Sequence, residues 1–149
     1  MQETACPEAL QDIIEEFSSA APEERLELLL EFAMDLPDLP EALHHARDTM
    51  EQVHECQSPV FLHAALQDGR MVYHIDVPRE APTVRGFASI LHSGLNGATP
   101  AAVAATPANL YQQLGLHKVI SPLRLRGLTA LLQRMKRNAE ELATSCRSD

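Results

Sequence analysis

The dipeptide Asp68-Gly69 constrains the fold of this chain more than any other pair of residues. Before it, Val60, Leu62, Ala64 and Leu66 alternate with Phe61, His63, Ala65 and Gln67. After it, Met71, Tyr73, Ile75 and Val77 alternate with Val72, His74 and Asp76. A period of two places one set of side chains on each face of a strand. Two such runs joined by Asp-Gly predict a tight hairpin, because both turn residues must tolerate positive φ. Pro78 closes the second strand.

Helical spacing dominates on both sides of this hairpin. Pro7 suits a first helical position, and Leu10, Ile13, Ile14 and Phe17 recur three or four residues apart. Residues 18–22 break the pattern. Pro22 restarts it, with Leu26, Leu29, Leu30 and Ala33 on one face, and Glu23 and Glu24 favour the positive end of the helix dipole. Pro37 ends the segment, and propensity predicts a short helix from Glu41 to Val53. After Pro82 a helix runs through Leu91 and ends near Gly94 or Gly97. Thr99-Pro100 and Thr106-Pro107 each open a short helix, the second stopped by Gly115. Ser121-Pro122 supplies an N-cap and a first-turn proline for a long amphipathic helix carrying Leu128, Leu131, Leu132, Met135, Ala139 and Leu142. The predicted fold class is α+β: one compact domain over residues 1–149, with a small antiparallel sheet built on the central hairpin and helices at both ends.

Composition narrows the function. At 149 residues and 45% hydrophobic, the chain can bury a core without a metal or disulfide staple. Residues 1–55 carry 15 acidic and two basic side chains, against six acidic and ten basic over residues 56–149. The acidic first third argues against nucleic-acid binding, which needs a basic footprint. It reads either as a solvated helical surface or as a docking face for a basic partner. No run approaches the roughly 20 apolar residues of a membrane span. Met1 to Pro7 has neither a basic region nor an apolar run, so no signal peptide is expected. Three cysteines, at positions 6, 56 and 146, make a poor disulfide scaffold and fit a reducing cytoplasm.

Several chemistries lack their residues. The chain has no G-x-x-x-x-G-K, G-x-G-x-x-G, H-E-x-x-H or C-x-x-C. Its cysteines stand too far apart for a zinc ligand set, so no metal site is expected. His44-His45 reads as a solvated pair on a helix. Cys56 is the informative residue. In His54-Glu55-Cys56-Gln57-Ser58-Pro59, polar neighbours and a proline suggest a loop from which a thiol can reach a partner. The other reading of Cys56 is a small buried cysteine. Cys6 and Cys146 lie near the ends and read as incidental.

Val53-His54-Glu55-Cys56-Gln57-Ser58-Pro59-Val60-Phe61 resembles the V-x-G-C-x-S-x-V-W segment of the SufE family, whose members accept sulfur for iron–sulfur cluster assembly. The resemblance continues in order. Asp68-Gly69 matches the family hairpin, Val84-Arg85-Gly86 its V-[KR]-G helix start, and Thr99-Pro100 its T-P. Ser121-Pro122-Leu123-Arg124 with Gly127-Leu128 is similar to its L-[ST]-P-x-R-x-x-G-[LM] stretch. The likeness covers about Pro22 to Ala139. Glu55 replaces the family glycine, Phe61 replaces tryptophan, and Pro78-Arg79-Glu80-Ala81 stands for D-S-D-A.

The resemblance implies a SufE/NifU-like fold and a definite chemistry. A pyridoxal-phosphate-dependent cysteine desulfurase would lift sulfur from cysteine onto its own cysteine as a persulfide. Cys56 would accept the outer sulfur and pass it to an iron–sulfur scaffold protein, and this chain would stimulate the desulfurase while holding no cofactor itself. Glu55 disfavours the thiolate, and His54 or Arg124 would offset it. Glu80 would be the acidic helper. The family's extended loop before its cysteine would end the 41–53 helix early. Cys56 would rest turned into an apolar pocket, with Val60 and Leu62 from the hairpin and Leu123 or Leu128 from the last helix lining it. Glu55 would point to solvent and stiffen the loop. Two other functions stay open. One is a thiol hydrolase or transferase pairing Cys56 with His54, His63 or His74. The other is a non-catalytic interaction module that uses the acidic first third.

Overall fold

The computed structural model describes residues 6–44 and 47–147, with side chains for 6–44 and 48–144. His45 and the Cys146 side chain lie outside the described residues. Helices α1 (Glu8–Ser18) and α2 (Pro22–Asp35) come first, followed by the single turn α3 (Glu41–His44). Strands β1 (Glu51–Gln52), β2 (Phe61–Gln67) and β3 (Arg70–Asp76) form an antiparallel sheet in the order β1-β2-β3. Helices α4 (Pro82–Leu95), α5 (Pro100–Ala104), α6 (Leu110–Gln113) and α7 (Pro122–Arg147) complete the chain. No described helix is long and apolar enough to cross a membrane.

The hairpin follows the register its turn dictates. Asp68 and Gly69 both have positive φ, at 52° and 78°. Gln67 faces Arg70, and the pairing runs back to Phe61 opposite Asp76. Leu62, Met71, Tyr73 and Ile75 therefore share the inward face, where they pack with Phe87, Ile90 and Leu91 of α4 and Leu128, Leu131 and Met135 of α7. The Tyr73 hydroxyl, buried among apolar side chains, donates to the Met135 carbonyl at 2.7 Å, which removes the penalty of an unpaired polar group. The free edge of β3 meets the loop after α4. Met71 N–H donates to Ala98 O, Gly97 N–H to Met71 O, and Tyr73 N–H to the Asn96 side-chain oxygen.

Val84-Arg85-Gly86 acts as a structural joint. A Cβ at Gly86 would stand 2.3 Å from the Leu29 carbonyl oxygen, so glycine alone lets α4 cross α2 this closely. The Arg85 guanidinium donates to Val77 O at 2.7 Å and to Ala33 O at 3.0 Å. It thereby satisfies a carbonyl near the end of α2 and ties that end to the exit of β3.

Over residues 41–53 the chain departs from what propensity predicts and follows the early end that the family resemblance implies. The described helix is Glu41–His44, and a 3-10 turn at Arg47–Thr49 leads into β1, whose residues Glu51 and Gln52 pair with Leu62 and Phe61. Met50 and Val53 are buried, which draws this segment onto the sheet and overrides the helix propensity of Glu41 to Val53. At the start of the chain, Pro7 is the N-cap of α1 and Glu8 is its first helical residue. Gly94 lies inside α4 against Leu10, and the helix ends at Leu95.

Candidate functional site

Cys56 sits near the tip of the loop between β1 and β2. The loop is closed at its base by a hydrogen bond from Val53 N–H to Val60 O at 2.8 Å, and turned by one from Cys56 N–H to Val53 O at 3.2 Å. It folds down onto the first two turns of α7. A Cβ built at Gly127 would stand 2.9 Å from the Cys56 sulfur and 3.1 Å from its Cα. Gly127 therefore leaves the space that the cysteine occupies.

The half-buried thiol opens onto a pocket of about 130 Å³. Its walls are Glu55 to Ser58 of the loop, Glu80 to Val84 around the start of α4, and Leu123, Arg124 and Gly127 of α7. Burial first, and then the Glu55 carboxylate, push the thiol pKa up to about 11, with Arg134 pulling the other way. Near neutral pH such a thiol is almost wholly protonated.

Of the residues singled out from the sequence, Cys56, Glu80 and Arg124 meet at this pocket. Arg124 is exposed and donates to the Thr83 hydroxyl at 3.4 Å, bridging α7 to α4 across the rim. His54 is exposed and does not line the pocket. Nor do His63 and His74, which face each other across β2 and β3 with ring centroids 6.0 Å apart. The expected wall is half right. Leu123 lines the pocket, but Val60, Leu62 and Leu128 do not. Those three are fully buried in the core, because Val60 and Leu62 share the inward face of the hairpin and Leu128 points beneath it. The apolar wall comes instead from Ala81, Pro82 and Val84.

Glu55 is exposed, as expected, and it carries a partner the sequence does not show. Its carboxylate is 2.7 Å from the Arg134 guanidinium. The Glu55 backbone N–H, first, and Arg134 hold its carboxyl below the usual value. Arg134 also donates to Glu51 at 2.8 Å and to the Gln52 carbonyl at 3.1 Å, while Arg137 shares Glu51. Neither Arg134 nor Gly127 was assigned a role from the sequence. An arginine on the polar side of a long helix carries no local sign of a partner 79 residues away. Gly127 did carry a signal, since a glycine inside a helix needs a reason such as a close approach.

Comparison with known proteins bears on this arrangement. Residues 11–139 match the SufE family, described as an Fe-S metabolism associated domain. An uncharacterised SufE-like protein of Mycobacterium tuberculosis is 48% identical over 136 residues, which span 91% of this chain and 94% of that one. The sulfur acceptor protein CsdE of Escherichia coli is 30% identical over 111 residues, 73% of this chain and 72% of its own. The solution structure of a hypothetical protein from Thermus thermophilus matches with a TM-score of 0.82 at 40% identity, over 93% of this chain and 98% of that one.

Proposed function

Because this chain belongs to the SufE family, we propose that it is a persulfide sulfur acceptor whose working group is the Cys56 thiol. The observation that carries the reading is a single thiol on a closed loop, seated over Gly127 at the mouth of a pocket with no histidine among its described walls. A hydrolase using Cys56 would need a base within hydrogen-bond reach, and the pocket holds none of the imidazole type. A carrier needs only a nucleophile, access and a route out. The likeness to CsdE, a protein named as a sulfur acceptor, supports the same assignment.

The transfer is a thiol exchange. Cys56 gives up its proton, and its thiolate attacks the outer sulfur of a persulfide on a cysteine desulfurase. A new S–S bond forms at Cys56 as the donor's S–S bond breaks, and the donor cysteine leaves as a thiolate. No electrons are gained or lost overall. A later thiol, on an iron–sulfur scaffold protein, takes the sulfur onward by the same exchange. Pyridoxal phosphate belongs to the desulfurase. In its resting position the thiol is nearly all protonated, so the loop must carry it out of the pocket before exchange is fast. Burial at rest also shields the sulfur from oxidation. Arg124 and Glu80 stand with opposite charges on the rim and would meet the donor there, whereas His54 takes no step.

The test is incubation with a pyridoxal-phosphate-dependent cysteine desulfurase and cysteine, followed by intact mass and peptide mapping. The wild type gains one sulfur atom on the Cys56 peptide. Cys56→Ser gains none and stays folded, Cys6→Ser and Cys146→Ser load normally, and Arg124→Ala lowers desulfurase stimulation several-fold without loss of stability. Sulfur mapped to Cys6 or Cys146, or no loading at all, overturns the reading.

A further inference from the structure

Arg134 divides its hydrogen bonds between two neighbours of different standing. One terminal nitrogen donates to Glu51 and to the Gln52 carbonyl, both in β1. The other donates to Glu55, one residue before the reactive cysteine. β1 is tied into the sheet by its pairing with β2, so Arg134 is anchored whether or not the loop is closed. Its side chain is 18% exposed, and Arg137 shares Glu51, which braces the anchored arm further. A guanidinium fixed in this way has little freedom left to lose when it takes a second carboxylate. The Glu55 arm is the releasable one. Glu55 stays half-exposed, so water or an incoming charge can replace Arg134 without burying an unpaired carboxylate.

We infer that Arg134 is a positioning residue for sulfur transfer: by gripping Glu55 from α7 it holds the adjacent Cys56 in its pocket, and release of that grip lets the loop present the thiol to the donor. The transfer role rests on the sulfur-acceptor reading above. The grip itself is a property of the free protein and can be measured without a partner. Among the described residues, the loop is otherwise held by the bond at its base, one turn bond, and packing of Cys56 against Gly127 and the core.

The charged groups facing the thiol give the test its sign. Glu55 on the loop makes the thiolate harder to form, and Arg134 makes it easier. Glu80 and Arg124 border the same pocket. If Arg134 acted through its charge alone, Arg134→Gln would leave a weaker nucleophile, and Cys56 would alkylate more slowly. If Arg134 acts as a grip, its loss frees the thiol into water and alkylation speeds up. Arg134→Lys separates the two cleanly. It keeps the positive charge but lacks the fork needed to hold β1 and Glu55 together.

The experiment uses the full chain and iodoacetamide at pH 8, with the rate read on the Cys56 peptide and folding checked by thermal melt. Both Arg134→Gln and Arg134→Lys are expected to react about two- to fivefold faster than wild type, the range that loss of an exposed ion pair sets. Glu55→Gln reacts faster too, and the Glu55→Gln/Arg134→Gln double variant is no faster than the faster single one, because both remove the same contact. With a desulfurase that loads wild-type Cys56, Arg134→Gln is expected to lower the half-saturating concentration and leave the maximal rate unchanged, since less of the resting protein is closed. Rates at or below wild type in both Arg134 variants overturn the grip. A raised half-saturation, or a wild type that accepts no sulfur, overturns the transfer role while leaving the alkylation result to stand by itself.

Discussion

Strand β2 carries a different kind of connection at each end. At its C-terminal end, Asp68-Gly69 reverses the chain in two residues, both at positive φ, and the flanking ladder of β2 and β3 fixes the result. At its N-terminal end, residues 54–59 bulge out between Val53 and Val60 and are held down by α7, through the bare surface of Gly127 and the guanidinium of Arg134. The first connection is a property of local backbone. Nothing outside the hairpin is needed to choose it, and no visitor can change it without breaking the ladder. The second is a property of contacts made across the chain, each of which another surface could replace. The thiol of the proposed sulfur acceptor, hidden at rest and offered on demand, would belong on the second kind.

The comparison can be broken most forcefully at Gly127. Gly127→Ala places a Cβ 2.9 Å from the Cys56 sulfur and 3.1 Å from its Cα, so the sulfur must turn off α7 and the loop backbone must give by a few tenths of an ångström. Turned outward, the thiol regains part of its ordinary acidity, and iodoacetamide labelling at pH 8 should accelerate on the order of tenfold. Unchanged labelling would mean that the loop is held by something other than this contact.

Gly69→Ala probes the opposite end and should act on stability alone. Gly69 has φ of 78° with nothing within 4 Å of an added Cβ, so the substitution meets no neighbour and bears only the backbone penalty. That penalty is about 1 kcal/mol, which a denaturant titration resolves. Cys56 labelling should not move, and a change in it would show that the two ends of β2 are coupled.

The remaining test is a pH dependence. The folded Cys56 thiol lies at about 11 against an ordinary value of 9.0, so on raising the pH the unfolded chain ionises first. The stabilisation is complete below pH 9 and is lost between pH 9 and 11. The buried Tyr73 hydroxyl, also pushed up by burial, adds its own alkaline loss in every variant. The difference between wild type and Cys56→Ser removes that shared contribution. Urea midpoints at pH 8.5 and 10.5 should show wild type losing more, and parallel curves would place the thiol in water.

The same contrast explains what could be read from the sequence. The hairpin, the start of α4 and the N-cap of α7 are written in adjacent residues, and each forms where the chain predicts. Ser121, for example, accepts from Arg124 N–H at 3.4 Å, as an N-cap does. Cys56 stands out in the sequence by its polar loop neighbours, whereas the pocket residues Glu80, Leu123 and Arg124 can be picked out only through the resemblance of their local segments to one family. β1 was not legible, because two residues, Glu51 and Gln52, have no period to detect. The pocket wall was assigned to Val60, Leu62 and Leu128 because they are apolar and close in sequence to the thiol or to the last helix. Burial in the common core claims all three first. The Glu55–Arg134 pair lies beyond any local rule, since only the docking of α7 on the sheet brings the two together.

A strand at the rim of a sheet ordinarily leaves a row of free amides and carbonyls, on which an extended peptide from another chain can zip itself. On the β3 side the first half of that row is already engaged, with the Met71 amide and carbonyl bonded to Ala98 and Gly97 and the Tyr73 amide to the Asn96 side chain. A strand arriving at this rim would have to displace the turn after α4 before it could pair with Met71 to Tyr73. Recruitment by strand addition is hindered on this flank. The proposed sulfur acceptor, built this way, would be met and released many times through shape and charge at its loop face, without a ladder to unzip at each departure.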